Sequence, residues 1–344
     1  MTRKINIGLI GLGYWGFNYF RVLMQLSNVS LKYVCDENQD RLKNLAKYAK
    51  VLKLVKNPDE VISDEKLDAV AIVTPASTHY QLVKMALKSK KHVIVEKPFT
   101  MSYAQSIELS KLSEKYGKIL MVGHIYCFNP AVQYIKQLIR NNELGTIYYG
   151  LGLRLGLGPI RSDADCVWDL ATHDISMLDY IFGRIPRYVS AHALAFIQKE
   201  RKIYDYASIQ LIYDDFRFSV SASWYAPEKI RTWYLIGSNK MLKFDDLNKS
   251  NPLTIYSESV TVSNNNSMQH RYIPKEGDIT LPYISQEEPL LLELQHFVNA
   301  ISSGEKVVSN AQQGARVVKV LEAITKSINN SGQFVEINSN DNEQ

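Results

Sequence analysis

The sequence predicts an α/β protein in two parts. An N-terminal, doubly wound parallel sheet is expected over residues 1–123, and a C-terminal α+β domain with a large, mainly antiparallel sheet over residues 124–344. Three observations favour this class. A glycine-rich turn joins the first apolar strand to a helix, strands and helices then alternate as far as Gly123, and from Arg187 onward short strands dominate. Strands separated by helices form parallel sheets, whereas strands joined by turns form antiparallel ones.

The first strand runs over residues 5–10 and leads into the pattern G-x-G-x-x-G at Gly11, Gly13 and Gly16, which opens an apolar-periodic helix over residues 17–26. In a Rossmann fold the first glycine permits the tight turn, the second lets pyrophosphate approach, and the third lets helix and strand pack closely. The helix N-terminus offers free N–H groups to the phosphates. A strand before the motif and a helix after it predict a dinucleotide-binding turn.

The second strand, "LKYVCD", ends in Asp36, twenty residues after Gly16. A carboxylate there accepts hydrogen bonds from the adenosine ribose hydroxyls and repels a 2′-phosphate, so the predicted cofactor is NAD. The alternative is an Asp36 that caps a helix over residues 38–49. Arg41 falls within that helix, and we expect its side chain to point away from Asp36.

Three more strands, "LDAVAIVT", "KHVIV" and "KILMVGH", complete the predicted parallel sheet. The helix "STHYQLVKMALKS" separates the first two, with Ser77 or Thr78 as its N-cap. The helix "SYAQSIELSKLSEKYG" separates the last two, with Ser102 and Gln105 as a capping box and Gly117 at its end.

The strand "KHVIV" stops at two opposite charges, Glu96 and Lys97, followed at once by Pro98. Ligands of doubly wound sheets bind at the carboxyl ends of the strands, where Thr74 and Pro75 also fall. We therefore expect Lys97 to point into the cleft where the nicotinamide sits. The alternative is a local ion pair at an exposed strand end.

The second half of the chain changes character. A helix, "NPAVQYIKQLIRNN", leads into "LGTIYYGLGLRLGLG" and then the helix "WDLATHDISMLDYIFG". The strands "YVSAHALAFI", "DYASIQLIY", "FRFSVSASWY" and "RTWYLIGSNKMLKFD" follow, and turn residues such as Asp214, Asp215, Gly237 and Ser238 separate several of them. Two helices, "PLLLELQHFVNAISSG" and "NAQQGARVVKVLEAITKSI", close the chain. This pattern predicts a mainly antiparallel sheet, one face of which could cover the cofactor cleft.

The segment "WDLATHD" carries a second set of chemical groups. Asp169 and His173 are four residues apart, so they share one face of a helix, as an acid–base histidine and its orienting carboxylate would. The alternatives are an N-cap role for Asp169 and a surface or cap role for His173. No metal is predicted, because no third and fourth ligand is evident nearby. Asp174 and Asp179 are expected to be solvated or to interact with the helix dipole.

Charge and cysteine content narrow the possible partners. The formal net charge is +5, from 40 basic and 35 acidic residues without a dense basic cluster, so an anionic small ligand is favoured over nucleic acid. The three cysteines are too far apart for a disulfide framework, which fits a reducing cytoplasm. No long apolar stretch predicts a membrane partner, and the polar tail "NSNDNEQ" is expected to fray.

The motifs "GLIGLGYWG", "CDEN", "TPASTHY", "VEKPF" and "WDLATHD" resemble the Gfo/Idh/MocA family of oxidoreductases (glucose–fructose oxidoreductase and inositol dehydrogenase) over nearly the whole chain. The resemblance implies a catalytic group of Lys97, Asp169 and His173. The cofactor-binding residues implied or predicted are Gly11, Gly13, Tyr14, Trp15, Gly16, Asp36, Thr74, Pro75, His79, Glu96 and Lys97. The substrate-binding residues implied or predicted are Lys97, Tyr126, Asn129, Arg154, Arg161, Asp169 and His173. Arg154 and Arg161 are candidates for binding a carboxylate or phosphate; the alternative is that they are surface residues beside a glycine-rich loop.

Within the family, "GYWG", "GHIYCFNP", "IRSDADCVWDLATHDIS" and "SWYAPEKIR" are similar to the branch of nucleotide-sugar and surface-polysaccharide pathways. The resemblance implies an NAD-dependent oxidoreductase that transfers a hydride between a sugar hydroxyl and nicotinamide, with a nucleotide sugar such as a UDP-N-acetylhexosamine oxidised at C3. Gly156 stands where that branch often has asparagine, so one substrate contact is missing. The alternatives are a cyclitol or aldose dehydrogenase, a keto-sugar reductase, or a non-enzymatic NAD-binding regulator. As in the family, a homodimer or homotetramer is expected.

Overall fold

The computed structural model describes residues 3–263 and 271–337. The chain forms two compact units, the first from Met1–Phe128 with Glu287–Lys319 and the second from Asn129–Gln286 with Val320–Gln344. The expected fold class is confirmed for each unit, whereas the domain boundary after residue 123 stays a prediction. The tail that was expected to fray lies outside the described residues.

The strands of the described residues are, in chain order, β1 Ile5–Ile10, β2 Val29–Cys35, β3 Lys53–Val55, β4 Ala69–Ile72, β5 His92–Glu96, β6 Leu120–Gly123, β7 Ile147–Leu155, β8 Tyr188–Leu194, β9 Tyr206–Ile212, β10 Arg217–Ser223, β11 Ile230–Gly237, β12 Met241–Asp245, β13 Leu253–Tyr256, β14 Ser259–Ser263, β15 Arg271–Lys275, β16 Ile279–Thr280 and β17 Val335–Glu336. The α-helices are α1 Tyr14–Gln25, α2 Gln39–Lys43, α3 Pro58–Ile62, α4 Ala76–Lys88, α5 Tyr103–Tyr116, α6 Pro130–Arg140, α7 Thr172–Phe182, α8 Pro289–Ser303 and α9 Ala311–Asn329. Within that described part, no helix is both long and apolar enough to cross a membrane.

The first unit contains a six-stranded sheet in the order β3-β2-β1-β4-β5-β6, and every neighbouring pair is parallel. All four residues of β4 are fully buried, as expected for a central strand covered on both faces. Helix α8 and the start of α9 also belong to this unit, although they follow Asn129–Gln286 of the second unit in sequence.

Several local predictions in the first unit are wrong. The helix expected over residues 38–49 is only the five-residue α2, capped by Asn38, followed by a 3₁₀ turn at Ala46–Tyr48. Helix α4 begins one residue earlier than expected, with Pro75 at its N-cap. Ser102 occupies the N-cap of α5, but its side chain makes no capping hydrogen bond. Gly117 ends that helix in a left-handed conformation, φ +60°, as predicted.

The second unit contains a nine-stranded sheet in the order β16-β13-β12-β11-β7-β10-β9-β8-β17. Strands β7 and β10 run parallel, and all other neighbours are antiparallel, so the predicted mainly antiparallel sheet is confirmed. The Phe218 and Trp233 rings lie 4.6 Å apart in its core, and both side chains are buried. Strands β14 and β15 pair separately.

Candidate active site

The glycine turn after β1 has the backbone that the sequence motif predicts. Gly11 adopts φ +99°, and a Cβ there would lie 2.3 Å from the Val73 carbonyl oxygen, so only glycine fits. A Cβ on Gly16 would lie 2.2 Å from the Gly11 carbonyl oxygen, which explains how closely α1 approaches the turn. Gly13 is different, because among the described residues, apart from its two chain neighbours, no heavy atom lies within 4 Å of its Cβ position. The turn therefore leaves open space on Gly13, at the N-terminus of α1, where a phosphate would bind.

Asp36 follows β2 and is tied to this turn. Its carboxylate accepts hydrogen bonds from the backbone N–H of Leu12 at 2.7 Å and of Asn38 at 2.8 Å. The guanidinium of Arg41 lies 3.3 Å from the same carboxylate. The expectation that Arg41 points away is therefore wrong, because from α2 its side chain reaches back to the end of β2.

Glu96, at the end of β5, connects the turn to the neighbouring lysine. Its Oε1 accepts hydrogen bonds from the Trp15 indole at 2.7 Å and the Tyr19 hydroxyl at 2.8 Å, both on α1. Its Oε2 accepts one from the backbone N–H of Lys97 at 3.1 Å. Burial raises the pKa of Glu96, while the charge of Lys97 and the donors from Tyr19 and Trp15 act to lower it.

Lys97 is half-buried at the carboxyl end of the parallel sheet. His124, the residue after β6, is 1% exposed, and neither of its ring nitrogens has a hydrogen-bond partner among the described residues. Burial, and then the charge of Lys97, lowers the pKa of His124 to about 3. The Lys97 cation therefore has an anion in Glu96 and a neutral imidazole in His124 as neighbours.

His79 joins two strand ends of the first unit. Its Nδ1 lies 2.8 Å from the Pro98 carbonyl oxygen, and its Nε2 lies 2.9 Å from the Thr74 carbonyl oxygen. The Thr74 and Thr78 hydroxyls are 2.6 Å apart. His79 is 1% exposed, so it fixes the segments that follow β4 and β5.

Two predicted substrate residues, Tyr126 and Asn129, lie on either side of the division between the units. Tyr126 is buried in a 3₁₀ turn of the first unit. Asn129 belongs to the second unit and is the N-cap of α6, where its side-chain oxygen accepts from the backbone N–H of Ala131 at 2.9 Å. Their roles toward substrate stay predictions.

In the second unit, Asp169 is held by two side chains. Arg161 Nη1 donates to its Oδ1 at 3.2 Å, and the Trp224 indole donates to its Oδ2 at 3.1 Å. Asp169 lies in a π-helical turn, Val167–Ala171, and His173 lies in the first turn of α7 directly after it. The expected single α-helix is therefore two segments, and π-helical turns frequently occur at functional sites.

Arg154 and Asp174 form a buried ion pair in the second unit. Arg154 Nε donates to Asp174 Oδ2 at 2.8 Å, and the Trp233 indole donates to Asp174 Oδ1 at 2.6 Å. Arg154 is 5% exposed and Asp174 is fully buried. Asp174 and Asp179 were expected to be solvated or to interact with the helix dipole. The solvated alternative is wrong for both, since Asp179 is only 2% exposed, whereas Asp174 does lie in the first turn of α7. Arg161 lies nearer the surface and also pairs with Asp163, which lowers the pKa of that carboxyl.

Three residues near these groups were not singled out from the sequence as site residues. Tyr19 lies on α1 and Glu293 on α8, and Glu293 follows Glu96 by nearly two hundred residues. Trp224 follows β10. The hydroxyl of Tyr19 and the indole of Trp224 are buried donors to predicted site carboxylates, and no local pattern predicts such long-range contacts.

The residues of the first unit fit a dinucleotide. Gly13 leaves room beside the N-terminus of α1, and Asp36 is fixed by the amide of Leu12 in the same turn. Lys97 and Glu96 lie at the end of β5, two strands from β1 in the same sheet. In parallel sheets of this type the carboxyl ends of the strands form the binding crevice. The described residues contain no group of three or more His, Cys, Asp or Glu that could hold a metal ion.

Comparison with protein families gives two matches in succession. Residues 5–124 match the model described as "Oxidoreductase family, NAD-binding Rossmann fold". Residues 132–243 match the "GFO/IDH/MocA C-terminal domain". The two models belong to the same family and together match well over half of the chain.

A relative with similarity over almost the full length is UDP-N-acetylglucosamine 3-dehydrogenase of Acidithiobacillus ferrooxidans. It is 27% identical over 317 residues, which cover 91% of this chain and 94% of that protein. Its solved structure superposes with a TM-score of 0.77 at 25% identity, covering 95% of this chain and 98% of the other. The scyllo-inositol 2-dehydrogenase (NAD(+)) of Bacillus subtilis is 32% identical over 199 residues. That match spans 58% of the inositol enzyme, and a match to the uncharacterized oxidoreductase YrbE of the same organism spans 55% of its length at 27% identity.

Proposed function

Because the chain belongs to the Gfo/Idh/MocA family of NAD-binding oxidoreductases, we propose that it is an NAD-dependent dehydrogenase of a secondary alcohol on a nucleotide sugar. The proposed substrate is a UDP-N-acetylhexosamine, oxidised at C3. Products of this kind would serve surface-polysaccharide pathways. We expect the enzyme to be a homodimer or homotetramer, which light scattering of the purified protein would measure.

One observation carries this proposal: the bonding of Glu96 to both Trp15 and Lys97. Trp15 lies in the first turn of α1, directly after the glycine turn that is expected to receive the pyrophosphate, and its indole N–H lies 2.7 Å from Glu96 Oε1. The Lys97 N–H lies 3.1 Å from Glu96 Oε2. The buried carboxylate therefore fixes the backbone at Lys97, which carries the cationic side chain, relative to the cofactor turn, and such prior positioning is what electrostatic catalysis requires.

Each predicted catalytic residue has a distinct role in this proposal. NAD, when bound, accepts the hydride. His173 takes the proton of the substrate hydroxyl, because histidine exchanges protons near neutral pH. Asp169 orients the imidazole, and Arg161 and Trp224 hold that carboxylate in one orientation. Lys97 stabilises the negative charge that develops on the substrate oxygen.

The substrate class draws its support from the relatives. Similarity over 91% of this chain to a UDP-N-acetylglucosamine 3-dehydrogenase favours a nucleotide sugar. A free cyclitol is the second candidate, favoured by the 32% identity to the scyllo-inositol 2-dehydrogenase and the 29% identity to the myo-inositol 2-dehydrogenase of Thermotoga maritima. Gly156, in place of an expected asparagine, leaves the exact sugar open.

A substrate panel tests the proposal. The protein is incubated with NAD and, separately, with UDP- and dTDP-sugars, myo-inositol and scyllo-inositol, and NADH is followed by absorbance. We expect NADH with a UDP-N-acetylhexosamine and little with either inositol. The variant Lys97→Met keeps the alkyl chain and should form NADH about a hundredfold more slowly. Tight NAD binding without turnover of any alcohol would support the regulator instead.

A further inference from the structure

Three buried polar side chains of the first unit meet where α1, β5 and α8 pack together. Tyr19 and Glu293 are fully buried, and Glu96 is 7% exposed. Neither carboxyl oxygen of Glu293 has a hydrogen-bond partner within the described part of the chain. A buried carboxylate without a donor is costly, so the protonation state of Glu293 has to be explained.

The Tyr19 hydroxyl can donate to only one of the two carboxyl groups near it. Tyr19 has a single hydroxyl proton, and it donates that proton to Glu96 Oε1 at 2.8 Å. The pKa of Tyr19 is raised well above its usual value, first by burial and then by the charges of Glu96 and of Glu293. Both carboxyls therefore lie near the Tyr19 hydroxyl, but only one of them can receive its proton.

The surroundings decide which carboxyl is neutral. Glu96 accepts hydrogen bonds from Trp15, Tyr19 and the Lys97 N–H, and it lies next to the Lys97 cation. These donors and the nearby cation favour its anion. Near Glu293 lies the Tyr19 hydroxyl, whose proton already goes to Glu96, and burial followed by the charge of Glu96 raises the pKa of Glu293 well above the usual range. Two carboxylates near one another in a dry interior cannot both be charged without a large cost, so the proton resides on Glu293.

We propose that Glu293 is a positioning residue that stays protonated and directs its proton toward the Tyr19 oxygen, so that Tyr19 is committed as a donor to Glu96. Glu96 is then a fixed anion that holds the Trp15 indole and the backbone N–H of Lys97 in place. The part of this inference that concerns Lys97 rests on the proposed function, whereas the protonation of Glu293 does not.

The titratable groups around Glu293 come from each packed element. Tyr19 lies on α1 and Glu96 on β5, and both act on Glu293. Lys97 follows β5 and His124 follows β6. On α8 itself, Glu288 is paired with Arg21, and His296 Nε2 accepts the Val308 N–H at 3.0 Å.

The variant Glu293→Gln separates a neutral acid from a carboxylate. Glutamine has nearly the same shape, can donate to the Tyr19 oxygen and does not titrate. The matched apolar variant, Glu293→Leu, fills similar space but provides no donor. The full-length protein and both variants are melted without added cofactor at several pH values.

The sign of the pH effect follows from the raised pKa. Above the ordinary glutamate pKa of about 4.3, the unfolded chain releases a proton that folded Glu293 keeps. The wild-type protein therefore loses stability as pH rises from about 5 to 8, while Glu293→Gln does not have this contribution. We expect the Tm of Glu293→Gln, minus that of the wild type, to increase steadily over this interval. Parallel Tm curves, or a Gln variant that does not fold, would overturn the proposal.

Kinetics test the positioning role separately. With the alcohol identified in the substrate panel, Glu293→Gln should keep kcat within about threefold of the wild type, because it retains the donor. Glu293→Leu should lower kcat by roughly tenfold to a hundredfold with a smaller change in KM, because Lys97 is no longer held in place. Equal losses in both variants would overturn the positioning role. Since the Tm series needs no substrate, a failure of the proposed dehydrogenase activity would leave the protonation of Glu293 testable.

Discussion

The guanidinium of Arg41 lies 3.3 Å from the carboxylate of Asp36, at the end of the strand where an adenosine ribose is expected. Asp36 also accepts the backbone N–H of Leu12, so it has a structural role in the glycine turn as well as a proposed role toward the ribose. In this position the aspartate would repel a 2′-phosphate, whereas the arginine would attract one.

We expect the wild-type protein to have a higher kcat/KM with NAD than with NADP. Asp36→Asn should lower the ratio of these two values by about tenfold or more, because one charge-assisted interaction is worth about 1.5–3 kcal/mol. Asparagine keeps an oxygen for the Leu12 N–H and removes the charge, which leaves Arg41 to meet a 2′-phosphate. Adding Arg41→Ala should abolish the gain with NADP. Equal use of both cofactors by the wild type would contradict this account of Asp36.

Alanine substitutions at Gly11 and Gly13 should affect different properties, stability for Gly11 and NAD binding for Gly13. Gly13 has open space at its Cβ position, so Gly13→Ala should fold normally and weaken NAD binding by about tenfold or more, since the methyl group would occupy the pyrophosphate site. Gly11→Ala should lower the free energy of unfolding by about 2 kcal/mol or more, because φ +99° is strained for alanine and the methyl group would meet Val73. Urea unfolding and calorimetric titration with NAD measure both. Unchanged NAD affinity in Gly13→Ala would argue against phosphate binding at this turn.

The buried pair of Arg154 and Asp174 predicts a cost in stability. Replacing either residue alone by leucine should lower the free energy of unfolding by about 3–5 kcal/mol, because the partner charge is left buried. The double variant should recover most of that loss. As a control, Arg184→Leu breaks a pair whose side chains are 43% and 58% exposed, so it should cost about 0.5 kcal/mol or less. If Arg154→Leu leaves stability unchanged and raises only the KM for the sugar, the substrate-binding role expected of this arginine gains support.

His173 and Asp169 should act as one unit. His173→Asn should slow oxidation by about 10²–10⁴-fold and leave NAD binding nearly intact, because the base contacts the substrate and not the adenosine half. Asp169→Asn should cost the same or less, and the double variant should be little worse than His173→Asn alone. Multiplying losses, or near-normal turnover in His173→Asn, would indicate Lys97 or Tyr126 as the proton acceptor.

Features encoded by neighbouring residues could be predicted from the sequence. The glycine turn, the end of the helix at Gly117 and the alternation of strands and helices depend on backbone geometry within a few residues. The position of Asp36 at the end of a strand was predictable for the same reason, because it follows that strand at a fixed distance from the glycines.

Features that depend on distant residues could not be predicted. Glu293 lies near Tyr19 because α8 belongs to the first unit, although Asn129–Gln286 of the second unit separate it from Met1–Phe128 in sequence. The burial of Asp174 was not predicted, because its partners, Arg154 and Trp233, lie on two strands distant in sequence. The early end of α2 has no clear signal in a segment rich in helix-forming residues.

Transfer of deuterium from the sugar to the cofactor tests the central claim most directly. UDP-N-acetylglucosamine carrying deuterium at C3 is incubated with the protein and NAD, and the NADH formed is isolated and analysed by mass spectrometry. If the chain is a dehydrogenase acting at C3, the NADH carries the deuterium, and Lys97→Met forms it about a hundredfold more slowly. NADH without deuterium, or deuterium retained in the sugar while NAD is bound, would contradict the account.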